Sequence, residues 1–573
     1  MTPRNFTPPP PRISAWRKNM LFVAVFLLFA VLVVGAPLRI GHFAAAAKEE
    51  SKIRHNYKKI LFAHRGGIVD TAGVPLAVSA DVYEVRADMA ELAGDENRRR
   101  RLDELTPELA QILQIPEDEL RRKLEGSGRA VLLSKKLPAA AGAKLYDFRA
   151  RHWRQLHGLR IEYKSKRYYP QREFAASVVG YVNHENKGKT GVEFVRQKEL
   201  SEEHGENRGV RARTGARIDS FLSRPPRDGK DITLAIDSRL QFFAYEALQN
   251  AALKYDARAG AAAVMDVRTG GIVAMASYPE ANPNNLRAGE VVKNRALSDQ
   301  MEPGSLVKPF IAALALQTGK TNTKEIFPSH RLTVIGGVQV KPNRIKTPLD
   351  LAGVLKKSSN VGIVILGWRL GREPVWRFYQ QLGFGQKILR MPGEAAGSLR
   401  PASEWRDSEL VTHAYGYNLS TTLLQLLSGY SIFAADGWRI VPDLDKSTAP
   451  PFRERVLDAH IARQVRGMLE QVTQPDGTAP GAAIRGYRVA GKTGTAKLGK
   501  PEGGYYDNDY RAFFVGMAPA SNPRYVAAVM IDRPRHDGRG IGGGRAAAPV
   551  FREIMRRALR LNAVPPDAPD GNV

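Results

Sequence analysis

Pro303-Gly304-Ser305-Leu306-Val307-Lys308 leads straight into an apolar run over 310–316. The run predicts a helix, and the Pro-Gly pair sets Ser305 at its N-terminus, where backbone N–H groups and the helix dipole favour developing negative charge. Lys308 lies three residues on, so one helical turn brings its side chain onto the face of Ser305. A lysine buried there can lose its proton and accept one from the serine hydroxyl. Alone, the tetrapeptide reads equally well as a serine N-cap followed by an exposed lysine.

Two further strings weigh against that reading. Ser358-Ser359-Asn360 follows Lys356-Lys357 and precedes an apolar stretch. A hydroxyl and an amide pointing into a cleft would relay a proton and bind a substrate amide, although by themselves these residues make an ordinary turn or cap. Lys492-Thr493-Gly494-Thr495 follows the strand-like Tyr487-Arg488-Val489-Ala490, which predicts an exposed edge strand that a substrate peptide extends through main-chain hydrogen bonds. Lys492 and the two threonine hydroxyls suit a carboxylate, and Gly494 lets a backbone come close. The N–H groups of Ser305 and Thr495 are candidates for an oxyanion hole. In this order the strings equip a serine acyl-transfer enzyme.

The third string has a rival. Residues 486–493 also fit G-x-x-x-x-G-K-T, the phosphate-binding loop, and Ala527-Ala528-Val529-Met530-Ile531-Asp532 resembles the strand that accompanies it. That mechanism needs a glycine-rich loop opening a helix. Strand formers fill the loop here, and Gly494, Gly499, Pro501, Gly503 and Gly504 deny the helix. No HExxH or Cys/His metal pattern occurs, no cofactor is implied, and Lys308 makes a histidine base unnecessary.

The rest of the chain supplies the setting. Residues 20–36 are apolar apart from Gly35, and the preceding tail carries Arg4, Arg12, Arg17 and Lys18 with no acid. The positive-inside rule predicts a cytoplasmic tail (1–19), a single transmembrane anchor (20–38) and export of everything beyond. Small residues at 44–46 offer a cleavage site, but the apolar run exceeds the usual signal-peptide core of about 7–15 residues, so the anchor is read as uncleaved. A mixed α/β pedestal is expected over 39–228, with helical spacing over 102–124 and 138–157 and a boundary at Arg224-Pro225-Pro226-Arg227-Asp228-Gly229. From 229 to 565 the pattern predicts one α+β domain. A strand over 231–236, a helix over 238–255 and a hairpin over 261–276 stand at its start; strands over 487–490, 512–516 and 525–531 and a helix over 549–561 stand at its end. The sheet is thus built from both ends, and 566–573 is a tail.

Composition bounds the partners. The chain has 573 residues, 86 Lys and Arg against 58 Asp and Glu, and a formal charge of +28. The run Arg98-Arg99-Arg100-Arg101 is flanked by Asp95, Glu96, Asp103 and Glu104, so it reads as a solvated helix face, and nucleic acid is set aside as a partner. The charge suits work beside an anionic surface. The absence of cysteine removes thiolate nucleophiles and disulfides.

These residues resemble the class B penicillin-binding proteins, most closely the division-specific FtsI type. Arg65-Gly66-Gly67-Ile68-Val69-Asp70 with Gly73 is similar to that family's opening pedestal motif. Arg167-Tyr168-Tyr169-Pro170 and Gly191-Val192-Glu193 are similar to its second block, and Leu234-Ala235-Ile236-Asp237 to its entry into the transpeptidase domain. Asn294-Arg295-Ala296, Glu302-Pro303-Gly304-Ser305, Tyr415-Gly416-Tyr417 and Ala518-Pro519 match as well. The likeness spans roughly residues 20–565 and implies a penicillin-binding transpeptidase domain of the serine β-lactamase-like fold.

It also implies a function. Ser305 would attack D-Ala-D-Ala stem peptides of peptidoglycan derived from lipid II, and an amine of a neighbouring stem would take the acyl group. Lys308 would be the base, Ser358 and Asn360 would assist proton transfer and binding, and Lys492, Thr493 and Thr495 would hold the terminal carboxylate. Ser359, Gly494 and Tyr510 complete the expected substrate site, and β-lactams would acylate Ser305. The implied place is the bacterial inner membrane at the division site, with the catalytic domain periplasmic and an FtsW-type glycan polymerase and other divisome proteins as partners. An elongation-specific transpeptidase, a D,D-carboxypeptidase, a β-lactamase, and a non-catalytic divisome scaffold or β-lactam sensor are the alternatives. Three departures stand out: Leu306-Val307 for the usual Thr-Met, Asp70-Thr71-Ala72-Gly73 for Asp-Arg-Asn-Gly, and Gly540-Ile541-Gly542-Gly543, which lacks the aromatic pair that walls bound β-lactams in relatives.

Overall fold

The computed structural model describes residues 56–125, 130–211, 217–343 and 345–568, with parts of 16–33. Of the expected anchor, residues 22–31 are described, as helix with mostly exposed apolar side chains; most of the remainder lies outside the described residues. Among the described residues no helix is long and apolar enough to cross a membrane.

The chain forms two compact units, Met1–Ala63 with Glu203–Arg227, and His64–Glu202 with Asp228–Val573. In the first, strands Asn56–Leu61, Gly205–Arg211 and Arg217–Arg224 make a three-stranded antiparallel sheet.

The second unit begins with a small α/β region. Its long strand Pro75–Ala87 pairs antiparallel with Val131–Pro138 and with Leu159–Tyr168. Helices Glu96–Leu113, Glu117–Leu124 and Ala139–Arg151 cover one side with their own apolar core, which includes Val85, Leu109, Leu120, Leu145 and Phe148. The helical run expected over 102–124 breaks because Gln114 takes φ 56° and Pro116 follows. Arg98 to Arg101 lie on an exposed helix face, as their acidic flanks require.

This region is tied down by a buried charge cluster. Glu193 receives Arg65 Nε at 2.7 Å and Arg167 Nε at 2.6 Å, with all three side chains at 0–1% exposure. The Asp70 turn supplies a second tie: Oδ1 accepts the N–H groups of Ala72 and Val74 at 2.8 Å each, and Oδ2 accepts Ser238 Oγ–H at 2.6 Å.

Beyond Asp228 lies a five-stranded antiparallel sheet. Its strands are β1 (Ala259–Asp266), β2 (Ile272–Tyr278), β3 (Ala490–Gly499), β4 (Tyr505–Ala518) and β5 (Tyr525–Asp532), in the order β2-β1-β5-β4-β3. Every residue of β1 and β5 is buried, because helices cover both faces; this is why these strands read as unbroken apolar runs rather than alternating ones. Helices α1 (Ser238–Lys254) and α6 (Gly543–Leu561) pack together across one face. On the other lie α4 (Leu423–Ala434), buried along its whole length, and α5 (Ala459–Glu470). Helices α2 (Lys308–Gln317) and α3 (Asn360–Leu370) pack against each other beside them. The sheet does draw its strands from both ends of the segment.

Helix α6 starts six residues before the expected Pro549. Three consecutive glycines and an internal proline argue against helix in sequence, yet packing on the sheet overrides them.

Removing the Glu193 carboxylate would strand two buried guanidinium groups. Glu193→Ala is expected to destabilise the folded chain by about 3–5 kcal/mol, read by denaturant unfolding, whereas an exposed control such as Glu104→Ala stays near the wild type.

Candidate functional site

Strand β3 is the free edge of the sheet, and the string 492–495 lies inside it. The strand runs on to Gly499 and then turns, with no helix following Thr493, so the phosphate-loop reading fails on geometry. Facing β3 is a tight 3-10 turn, Gly304–Val307, that runs directly into α2 and carries Ser305.

Close packing fixes that turn from several sides. Gly494 has no Cβ; one placed there would meet Leu306 Cγ at 2.8 Å. The glycine therefore admits the nucleophile's own turn against the strand. Gly416 has φ 90°, its carbonyl receives Gly304 N–H at 2.9 Å, and an added Cβ would lie 2.0 Å from Gly304 O. The hydroxyl of the buried Tyr430 donates to Leu306 O at 2.7 Å.

Lys308 begins α2 and is wholly buried. Its Nζ lies 2.7 Å from Ser358 O, 2.6 Å from Asn360 Oδ1 and 3.2 Å from Ser358 Oγ. No carboxylate is paired with it among the described residues. Burial first, and the nearby charge of Lys492 second, hold Lys308 well below the usual lysine range. A neutral amine has two N–H groups and one lone pair; the two oxygens of Ser358 and Asn360 use the first and leave the second for a proton.

The Ser358-Ser359-Asn360 string divides its labour. Ser358 sits in the left-handed region at φ 57°, a conformation costing about 1–3 kcal/mol, and this turns both its carbonyl and hydroxyl toward Lys308. Asn360 points its amide oxygen at Lys308 and its NH2 at Asn343 Oδ1 (3.1 Å), while Asn343 donates to Ser358 O at 2.9 Å. Ser359, expected at the substrate, is fully buried; its hydroxyl accepts Gly362 N–H at 3.1 Å and caps α3.

Ser305, Ser358, Asn360, Thr493 and Thr495 converge on one cleft of about 600 Å³, completed by Asn343, Tyr415, Tyr417, Thr478, Pro480 and residues 542–545. The Thr493 hydroxyl lies 3.1 Å from that of Thr478, and Thr495 Oγ1 accepts Gly543 N–H at 3.1 Å. Lys492 does not reach the cleft wall. It is wholly buried with Nζ 3.3 Å from Thr493 O, and burial pushes it down to about 7.

Tyr510 is also off the cleft. Its hydroxyl donates to Asp507 O at 2.9 Å, and Gly540 packs against its ring. At one position of the missing aromatic pair, a Cβ on Gly542 would lie 2.7 Å from Thr495 Oγ1. Ile541 is buried. The aromatic wall lies instead at Tyr415 and Tyr417, with ring centroids 5.5 Å apart and Tyr505 behind Tyr417 at 5.8 Å. The string Tyr415-Gly416-Tyr417 carried that signal in sequence; Asn343 and Thr478 carried none, since only the fold brings them in.

Comparison with known proteins identifies relatives of the chain. The penicillin-binding protein transpeptidase domain matches residues 260–556 and the penicillin-binding protein dimerisation domain residues 60–234. The chain is 35% identical over 99% of its length, and 97% of the relative's, to a Neisseria gonorrhoeae protein named as a probable peptidoglycan D,D-transpeptidase, PenA. It is 36% identical to the Escherichia coli K12 peptidoglycan D,D-transpeptidase FtsI, over 88% of this chain and 84% of that one. Among solved structures, penicillin-binding protein 3 of Mycobacterium tuberculosis, complexed with aztreonam, superposes with TM-score 0.68 at 28% identity, covering 89% of this chain and 99% of that one.

The depressed lysine has a stability signature. The unfolded chain holds a proton on Lys492 up to about 10.5, the folded chain only to about 7, so between these values the unfolded state binds more protons and stability rises with pH. Lys492→Met is expected to be more stable than the wild type at pH 7, with the margin closing as pH approaches 10.5, measured as thermal midpoints across that range.

Proposed function

The chain belongs to the penicillin-binding protein transpeptidase family, and from that premise we propose that it is a septal peptidoglycan D,D-transpeptidase with Ser305 as nucleophile. The observation that carries the residue assignment is Lys308: a buried, charge-depleted lysine held by Ser358 and Asn360, one turn from a serine that opens onto the same cleft.

The chemistry follows from that arrangement. A stem peptide lies along the free edge of β3, its carboxylate toward the hydroxyls of Thr493 and Thr495. Ser305 Oγ attacks the carbonyl between the two terminal D-Ala residues while Lys308 Nζ takes its proton. The N–H groups of Ser305 and Thr495 hold the oxyanion. Collapse expels the last D-Ala as its amine, protonated from Lys308 through Ser358 Oγ, and leaves an acyl ester on Ser305. An amine of a neighbouring stem then attacks the ester carbon, its proton passes through Ser358 Oγ to Lys308 and on to Ser305 Oγ as the acyl C–O bond breaks, and the new amide is the crosslink. Lys492 acts through Lys308: a second lysine nearby disfavours the charged form of the first. β-Lactams acylate Ser305 by the same first step.

The chain's similarity to FtsI and its basic N-terminal tail before an apolar run support a single-pass inner-membrane anchor over 20–38, a periplasmic catalytic domain and work at the division site with an FtsW-type polymerase.

A fluorescent penicillin is expected to label the purified chain at Ser305, located by mass spectrometry of the adduct peptide, and Ser305→Ala should show no label. Lys308→Ala should slow acylation about 10²–10⁴-fold. A wild-type chain that takes no label would overturn the assignment.

A further inference from the structure

A substrate ending in a carboxylate brings a negative charge into the cleft, and Lys492, expected to meet it, is not among the residues lining that cleft. Lys492 is fully buried, with Nζ 3.3 Å from Thr493 O and close enough to Lys308 to lower its pKa. Lys308 is engaged by Ser358 and Asn360. Hydroxyls, amides, the rings of Tyr415 and Tyr417, Pro480 and glycine backbone make up the wall, and among the described residues lining it Arg545 alone carries a charge.

Arg545 is also placed where the carboxylate must go. It stands in the first turn of α6, whose start is seated on β3: Gly543 N–H donates to Thr495 Oγ1, and a Cβ on Gly544 would lie 3.7 Å from Thr493 Cγ2. Those two threonines are the hydroxyls facing the substrate's end. The side chain of Arg545 is exposed and makes no hydrogen bond or ion pair among the described residues, whereas Arg556 and Arg557 of the same helix both pair with Glu553. Helix stability does not explain it, since a cation in the first turn opposes the dipole and no acid stands there to offset it.

We propose that Arg545 is the specificity-determining cation of the cleft, binding the terminal carboxylate of the stem peptide, and of β-lactams, together with the hydroxyls of Thr493 and Thr495. The guanidinium offers two parallel N–H donors to the carboxylate, the helix N-terminus adds its field, and the shape of the site needs no aromatic pair at 541–542. The residue touches substrate but no reacting atom, so it acts on binding before acylation. This assignment rests on the transpeptidase reading above and refines its carboxylate site.

The test compares a penicillin with its methyl ester, which lacks the charge, on the full chain. For Arg545→Ala, acylation by the free acid is expected to fall about 10- to 100-fold, as a weaker apparent affinity with the limiting acylation rate kept, while the ester reacts as with the wild type. Arg545→Lys should restore part of the loss, and added salt should narrow the gap between acid and ester for the wild type alone. Equal losses with acid and ester, or no loss with either, would overturn the proposal while leaving Ser305 as nucleophile. Failure of the wild type to be acylated at all would overturn the transpeptidase reading and this assignment together.

Discussion

A buried lysine, with no counter-ion among the described residues, is the constraint around which the catalytic domain is arranged. Desolvating an ammonium group is costly, and the fold meets that cost by letting the proton go, with two oxygens placed to hold the neutral amine. Both oxygens come from the Ser358-Ser359-Asn360 string, and one of them requires a serine in left-handed backbone. A second buried lysine, Lys492, adds to the burial that lowers the pKa of Lys308 whenever it carries its own proton.

The surrounding packing serves the same end. The Ser305 turn is gripped by Gly494 on the edge strand, by the Gly416 carbonyl and by the Tyr430 hydroxyl from the central helix. These contacts come from three elements far apart in sequence, so the serine is placed by the rigid core rather than by a loop. The free edge of β3 stays open for a peptide strand, while the glycines at 542–544 let the start of α6 close down on it where any side chain would collide with Thr495, Phe513 or Thr478. The charge left in the cleft is then that of Arg545, a residue that neither the motifs nor their spacing single out.

The sequence makes the reacting groups legible because their geometry is local. Ser305 and Lys308 are one helical turn apart, and the strand-like Tyr487-Arg488-Val489-Ala490 ahead of Lys492 points to an edge strand. The sheet assembled from both ends of the domain is legible for the same reason, since β1 and β5 are apolar without interruption. What sequence hides depends on long-range placement. Ser359 looks like its neighbours but turns inward to cap a helix, Lys492 looks like a carboxylate clamp but is wholly buried, and Tyr510 is not among the residues lining the cleft. Asn343 and Thr478 have no motif at all. The first turn of α6 is concealed by residues that disfavour helix and are tolerated because the sheet beneath leaves no room for anything larger.

The central claim, that Lys308 enters the reaction as a neutral base, is tested most directly by the pH–rate profile of Ser305 acylation by a penicillin. The account predicts a rate that stops climbing well before the ordinary lysine range is reached, because burial and the nearby Lys492 hold the amine well below that range. A rate climbing about tenfold per pH unit from 7 to 9, the behaviour of a base with an ordinary lysine pKa, would contradict it.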